Sequence, residues 1–441
     1  MNILIITTRF PPDTAIAAVR PYMFAKYLAK MGHHVTVLRS GEISSKPDHS
    51  MPIESIGVNV YSYLGENSPA ERFRRGEAVS VAIGRSRIAF LPPKLRFPLA
   101  RLYHKATSPL TLVKEWKLAR SKFELQKKYL EKLHEEGEHF DAVFATYGGL
   151  ENVYGGQYAA ALFGCKLIMD FRDPIARREF YSYPEYVVLR GIQRNAVRKA
   201  DISTAVSEAL TEKLHADAPE KRVLTLHNGY DEAAAEHPTG SVEKRLVFCY
   251  MGQLYAGKRD ASTLFKAVSE LYSEGKLSLD TVRFVYAGKD FPNLHAQASR
   301  FGVTEILEDR GYLDRKSVEA LQSASDIFTV LSWNTRKARG ILTGKFYEGI
   351  RCARPILVLV SGDESDSELN AMCEKYHYGF CYEEANDAEG YAKLKAWILS
   401  AYQTKMRGED LPYTATQEFS VDFRYDTLAR KLEGILSDLI K

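Results

Sequence analysis

The chain has 441 residues, 45% of them hydrophobic and 26% charged, with a formal net charge of +4. That length is too great for a single core and points to two domains of a soluble globular protein, and so mild a charge does not by itself ask for nucleic acid. The five cysteines (Cys165, Cys249, Cys352, Cys373, Cys381) are scattered without a CxxC pair or a histidine at zinc spacing, and the apolar run 3–6 is too short for a signal peptide or a span, so a disulfide framework, a zinc site and a membrane helix are all disfavoured and a reducing, cytoplasmic setting is expected.

Residues 2–7 are a continuous apolar run of the kind a strand buried on both faces needs. A turn follows at Phe10-Pro-Pro-Asp13, then a helix over 17–31 with Val19, Met23, Phe24, Tyr27, Leu28 and Met31 as its apolar positions, ended by Gly32. Residues 34–38 are the next strand. This βαβ opening puts the loop from Pro12 to Arg20 at the carboxyl end of the first strand, where open parallel sheets bind ligands. A dinucleotide-binding turn would carry GxGxxG here; the chain has Asp13-Thr-Ala-Ile-Ala-Ala18 instead, which disfavours a nicotinamide cofactor.

Between Glu71 and Lys122 the alternation breaks. Thirteen Lys or Arg, from Arg72 to Lys122, stand there against Glu77 and Glu115, interleaved with apolar residues such as Phe73, Ile88, Phe90 and Leu102. Prolines at 92, 93, 98 and 109 are expected to cut the stretch into short helical pieces. Three readings stay open for it: an anionic membrane surface, an anionic acceptor, or cations that simply face water.

Strands resume over 141–146, 166–170, 201–205 and 222–226, the last running into His227-Asn-Gly-Tyr-Asp231. Polar groups gather at the strand ends: Arg20, Thr146, Asp170, Arg172, Asp173, Ser207 and Asn228. One such group is usually a cap or a turn former, but several on one edge read as a cleft. The small, polar residues 237–241 suit a linker.

A second α/β series then begins. After a strand over 245–251 comes the loop Gly252-Gln-Leu-Tyr-Ala-Gly-Lys-Arg259, with two glycines for close backbone approach and Lys258 and Arg259 as cations for a diphosphate; a solvated basic turn is the alternative. Strands over 282–287 and 326–331 follow, with Ser317 as the expected N-cap of the helix between them. Tyr312 and Trp333 lie where a base could stack, or else belong to the core. Then comes Arg339-Gly-Ile-Leu-Thr-Gly-Lys-Phe-Tyr-Glu-Gly-Ile350, a glycine-bearing loop opening a helix near Thr343 or Gly344. Around such a helix start the N–H groups of Ile341, Leu342, Thr343, Gly344 and Lys345 make an anion site, and Gly340 and Gly344 let a ligand approach. Glu348, one turn in, can accept hydrogen bonds from adjacent sugar hydroxyls. Phosphate at the helix tip with ribose on the carboxylate describes a nucleotide; an ordinary loop and helix is the alternative. The last parallel strand is expected over 355–360 and a final amphipathic helix over 421–440.

Taken together, these motifs resemble the family-4 retaining glycosyltransferases of GT-B fold, of the type that builds bacterial surface polysaccharides. The resemblance rests on Arg9-Phe-Pro-Pro12 with Arg20, Gly32-His-His-Val-Thr-Val37, Asp170-Phe-Arg-Asp-Pro174, His227-Asn-Gly-Tyr-Asp231, Gly252-Gln-Leu with Lys258, and Gly344-Lys-Phe-Tyr-Glu348 with Arg354-Pro355. It covers nearly the whole chain apart from the basic insertion. It implies two Rossmann-like domains with parallel sheets facing an interdomain cleft. The first, 1–236, would be the acceptor side with an insertion at about 66–138; the second, 242–415, would bind the nucleotide sugar; the helix 416–441 would pack back toward the first.

The implied reaction moves a sugar from a nucleotide-diphosphate sugar to a saccharide or lipid-linked acceptor with retention, without cofactor or required metal, at the inner face of the plasma membrane. The resemblance assigns Lys258 to phosphate, Glu348 to ribose and Lys345 to the diphosphate or sugar. Around them, Gly252, Gln253, Arg259, Gly340, Ile341, Leu342, Thr343, Gly344 and Tyr312 would hold the donor. Arg20, Thr146, Tyr147, Arg172 and Asn228 would line the acceptor side, and Asp173 either orients the acceptor or makes a salt bridge. The chain departs from the family pattern at Gly340, where a glutamate often stands, at Gln253 in place of arginine, at Ala17-Ala18 in place of a glycine pair, and at Thr146-Tyr147, where no histidine stands. A nucleotide-sugar epimerase of the same architecture and a non-catalytic nucleotide-sugar-binding subunit are the alternatives.

Overall fold

The computed structural model of the protein describes residues 1–13, 15–41, 50–64, 93–231, 244–386 and 388–441, with the backbone alone at 93–111, 256 and 315. Two compact units divide the chain: Met1–Val206 with Leu210–Leu226 and Ala429–Lys441, and His227–Leu428 with Ser207–Ala209. The expected linker over 237–241 and the cations Arg72 to Arg87 lie outside the described residues.

In the first unit the strands are β1 (Asn2–Thr7), β2 (His34–Arg39), β3 (Asn59–Ser62), β4 (Ala142–Thr146), β5 (Lys166–Phe171), β6 (Ile202–Ala205) and β7 (Val223–Thr225). They form one parallel sheet in the order β3-β2-β1-β4-β5-β6-β7. The strand order reverses between β1 and β4, whose register sets Ile3 beside Ala142 and Ile5 beside Phe144. Helices α1 (Val19–Lys30), α2 (Pro93–Glu135), α3 (Leu150–Phe163), α4 (Tyr183–Lys199) and α5 (Glu208–Asp217) connect the strands. Burial of β1, β4 and β5 on both faces accounts for their uninterrupted apolar sequences. Gly156 lets α3 press onto β4, since a Cβ there would lie 2.5 Å from that of Ala145.

One expectation about this unit is corrected. Prolines 98 and 109 do not break the basic stretch into pieces: α2 runs unbroken from Pro93 to Glu135. Proline's fixed φ is close to helical, so Pro93 starts the helix at no cost and the two interior prolines each forgo one backbone bond. Its distal end is held by a buried face that includes Gln126, Leu130 and Leu133.

The second unit has a six-stranded parallel sheet of β8 (Leu246–Met251), β9 (Val282–Ala287), β10 (Leu307–Asp309), β11 (Ile327–Trp333), β12 (Ile356–Ser361) and β13 (Gly379–Glu383). The order is β10-β9-β8-β11-β12-β13, so the reversal falls between β8 and β11. Its helices are α6 (Ser262–Ser273), α7 (Phe291–Ser299), α8 (Arg315–Ser323), α9 (Gly344–Arg351), α10 (Glu368–Tyr376), α11 (Ala388–Met406) and α12 (Gln417–Asp422); α13 (Tyr425–Ile440) begins in this unit and from Ala429 onward is counted with the first. Ser317 is not the cap of α8: Asp314 takes that place, its carboxylate accepting from the Ser317 N–H at 2.9 Å.

The final amphipathic segment is two helices, not one. Between them the Phe423 carbonyl accepts from the Tyr230 N–H at 3.0 Å and the Tyr230 carbonyl accepts from the Tyr425 N–H at 3.0 Å. That bridge claims the backbone where a continuous helix would have passed. Gly229 makes it possible, because a Cβ there would come within 2.2 Å of the Phe423 carbonyl oxygen.

Candidate functional site

The reversal between β8 and β11 fixes where a ligand can enter the second unit. Strands that leave in opposite directions open a crevice at their carboxyl ends. Two loops flank it: residues 252–261 after β8, and residues 334–343 after β11. Both are the glycine-bearing stretches singled out in the sequence.

Packing explains why α9 begins where it does. Phe346, Tyr347, Gly349 and Ile350 are buried, and Phe346 meets Tyr378 at 5.2 Å and Phe419 at 5.7 Å between ring centroids. Tyr347 meets Phe423 at 5.5 Å. This aromatic seat turns the opposite face, with Lys345 and Glu348, toward the crevice. Thr343 caps the helix, its hydroxyl accepting from the Lys345 N–H at 3.3 Å. The Phe346 N–H goes to the Thr343 carbonyl at 3.0 Å, and the aligned peptide dipoles leave the tip with partial positive charge.

Arg259 ties the two loops together. It is 9% exposed, and its Nη2 donates to the Thr343 hydroxyl at 3.1 Å while its Nη1 donates to the Gln253 carbonyl at 3.2 Å. Its guanidinium lies 4.5 Å from the Tyr255 ring centroid and 5.8 Å from that of Trp333. Lys258 places its ammonium 5.3 Å from the same Trp333 ring. The Arg259 Nε and the Trp333 Nε1 are buried without a hydrogen-bond partner among the described residues. Burial pushes the nearby Tyr250 hydroxyl up to about 12, against the opposing pull of Arg259, so it stays a neutral donor to the Gln253 carbonyl at 2.8 Å.

Lys345 and Glu348 are paired, with Nζ 2.9 Å from both carboxylate oxygens. Gly252, at φ +146°, brings the β8 loop against this pair: a Cβ there would lie 3.6 Å from Cε of Lys345. Gly340 is at φ +71°, and a Cβ on it would fall 2.4 Å from that of Ala209 in the same unit. No larger residue fits there without a shift of backbone. Ile341 and Leu342 follow in the loop, the Ile341 carbonyl accepting from the Ser332 hydroxyl at 2.9 Å. A shallow recess opens beside them, lined by Trp333, Asn334, Gly340, Ile341 and Glu368 among others.

The structure thus brings Gly252, Gln253, Lys258, Arg259, Thr343, Gly344, Lys345 and Glu348 together around one crevice. Tyr312 is 75% exposed, with the Lys289 ammonium 5.0 Å over its ring, and among the described residues no contact ties it to that group. Two residues went unnoticed in the sequence. Glu368 bonds His227 Nε2 at 3.0 Å, and Gln322, 1% exposed, donates to Glu348 at 2.9 Å. A glutamine near the end of an amphipathic helix carries no signal of such a role.

In the first unit the corresponding reversal lies between β1 and β4. Arg20 is 2% exposed, and its guanidinium grips Asp170 at 2.7 and 3.0 Å and the Leu226 carbonyl at 2.8 Å. Thr146 is fully buried and directs its hydroxyl to the same carboxylate at 3.3 Å. These two therefore brace the strand ends from inside and do not line a surface. Arg172 donates to the Ala17 carbonyl at 2.9 Å and the Tyr147 carbonyl at 3.3 Å, clamping the two loops of the reversal. Burial raises the Tyr147 hydroxyl well above the ordinary tyrosine range. Asp173 pairs with Arg177 at 3.0 Å and keeps more than half of its side chain exposed. Asn228 belongs to the second unit, in the turn next to Gly229.

No protein-family model matches the sequence, and no curated protein does. Solved structures do. Sucrose-phosphate synthase from Thermosynechococcus elongatus is similar over 100% of this chain and 99% of its own, at 11% identity and a TM-score of 0.60. The lipopolysaccharide outer core galactosyltransferase WaaB in its apo form is similar over 99% of this chain and 100% of its own, at 11% identity and a TM-score of 0.56. The E. coli trehalose-6-phosphate synthase bound with UDP-2-fluoro glucose is similar over 100% and 99%, at 12% identity and a TM-score of 0.58. At such identities the likeness speaks to fold, and the fold is GT-B, with two parallel α/β sheets.

Proposed function

We propose that this chain is a retaining glycosyltransferase that moves a sugar from a nucleotide-diphosphate sugar to a saccharide or lipid-linked acceptor in polysaccharide or glycoconjugate biosynthesis. The observation that carries the reading is the convergence of Lys258, Arg259, Lys345 and the amino end of α9 beside the Glu348 carboxylate. A leaving nucleoside diphosphate accumulates negative charge as the glycosidic bond lengthens. Cations and N–H groups already in position stabilise that charge most in the transition state and take the part a divalent metal plays elsewhere. Glu348 accepts the ribose hydroxyls.

Two of the similar proteins support the substrate class. One is bound with UDP-2-fluoro glucose, and another is named for transfer to a lipopolysaccharide outer core. Acceptor binding is assigned to the first unit, through Tyr147, Arg172 and Asp173. Among the described residues no helix is long and apolar enough to cross a membrane. Peripheral contact with an anionic membrane at the inner face is assigned to the α2 cations, of which Lys114, Lys117 and Arg120 have mostly exposed side chains.

Incubation with a panel of labelled nucleotide sugars tests the reading. Transfer or slow hydrolysis with the anomeric configuration of the donor kept, read by NMR, is expected; an isomerised donor would overturn it. Saturable binding without turnover would instead favour a non-catalytic nucleotide-sugar-binding subunit, the reading that glycine at 340 supports.

A further inference from the structure

We propose that Gln322 is the positioning residue that sets the Glu348 carboxylate for nucleotide recognition. The inference rests on the assignment of Glu348 to the ribose. Gln322 lies in the last turn of α8, is 1% exposed, and faces α9. Its Nε2 donates to Glu348 Oε2 at 2.9 Å, while its Oε1 accepts from Arg351 Nη2 at 3.0 Å. A guanidinium can only donate, so the atom it meets must be the amide oxygen, and the amide nitrogen is obliged to face Glu348. Arg351 is held in turn by Glu319 at 3.6 Å, one helical turn before Gln322. The chain Glu319–Arg351–Gln322–Glu348 therefore laces α8 to α9 with one defined polarity.

A carboxylate offers about four acceptor positions. Lys345 fills one on each oxygen and Gln322 a third. A pair of ribose hydroxyls needs two of them. The group that can give way is Lys345, which is 27% exposed on a flexible stem. Gln322 is buried and tied at both ends, so its bond persists. Ribose binding then turns the Lys345 ammonium from the carboxylate toward the phosphates, and Gln322 keeps Glu348 from following it.

The test titrates UDP, ADP and GDP, each beside its 2′,3′-dideoxy counterpart, into the wild type and the variants Glu348→Ala, Gln322→Leu and Gln322→Glu. The readout is the ratio of ribose to dideoxyribose affinity, which general loosening of the fold does not move. Wild type is expected to prefer ribose, Glu348→Ala to abolish the preference, and Gln322→Leu to lower it on the order of tenfold, about 1.4 kcal/mol. Gln322→Glu keeps the volume and the Arg351 partner but sets a second carboxylate against Glu348, so it serves if the leucine variant does not fold and is expected to lower the ratio as well. Loss of preference in Glu348→Ala with full preference in both Gln322 variants would overturn the role of Gln322 and leave the site intact. A wild type that does not prefer ribose, or a Glu348→Ala that still does, would overturn the ribose assignment and this inference with it.

Discussion

The guanidinium of Arg259 reaches the Thr343 hydroxyl at 3.1 Å, so a side chain from the loop after β8 holds the cap of the helix that follows β11. The two loops are 84 residues apart in sequence. Their meeting places two sources of positive charge, a pair of cations and a helix amino end, at one point of the sheet edge.

Breaking this tie should loosen the helix start before it unfolds the domain. Arg259→Ala removes the charged donor shared by the Thr343 hydroxyl and the Gln253 carbonyl, which keep the Lys345 N–H and the Tyr250 hydroxyl, at a cost of about 1.5–3 kcal/mol for the lost charge-assisted bonds. Hydrogen exchange at residues 343–348 is expected to speed by about tenfold, with the β12 amides unchanged. Equal acceleration in both would show that Arg259 supports the whole unit and has no special hold on the cap.

Removing the carboxylate from the crevice should weaken nucleotide binding. Glu348→Ala is expected to raise the dissociation constant for the preferred nucleoside diphosphate about tenfold to a hundredfold, as loss of charge-assisted bonds worth about 1.5–3 kcal/mol implies. Calorimetric titration checks it, and an unchanged constant would remove Glu348 from the site.

Lys258 should act on rate more than on affinity. Its ammonium rests over Trp333 at 5.3 Å, where developing negative charge on a leaving diphosphate would meet it. Lys258→Ala is expected to lower kcat by about 10²-fold or more while KM for the donor changes little. If KM rises and kcat holds, the lysine binds ground state and transition state alike.

Gly340 carries two constraints where Gly311 carries one. Both have positive φ, at +71° and +64°, but a Cβ is crowded only at Gly340, 2.4 Å from that of Ala209, and meets nothing within 4 Å at Gly311. Gly311→Ala is expected to cost about 1 kcal/mol, the backbone strain alone, and Gly340→Ala clearly more. Denaturant titration of the two variants side by side measures the difference; equal costs would mean that Ala209 moves aside freely.

Much of this was legible in the chain itself. Continuous apolar runs such as 2–7 and 326–331 identify strands buried on both faces, observed at Asn2–Thr7 and Ile327–Trp333, because only a parallel sheet covered by helices asks for them. Gly252 and Gly340 mark the loops where the backbone must turn tightly, Gly344 opens α9, and Lys258, Arg259, Lys345 and Glu348 stand out as charged groups on those loops and that helix. Local chemistry was enough for these. Local chemistry also misled: prolines 98 and 109 argued for short helices that the backbone does not make, and the apolar period of 421–440 hid the break that Tyr230 imposes.

What tertiary structure alone decided is which of the polar residues are spent inside the fold. The sequence groups Arg20, Thr146 and Arg172 as polar residues of one sheet edge, yet Asp170 consumes the first two, because a buried charge must be paired where it lies. Gln322 gave no signal in the sequence and is the residue that grips Glu348, since its meaning comes from a helix that passes 26 residues later in the chain. Periodicity reports how each element turns its faces. Which charge meets which is settled by strand order, and here by the reversal between β8 and β11.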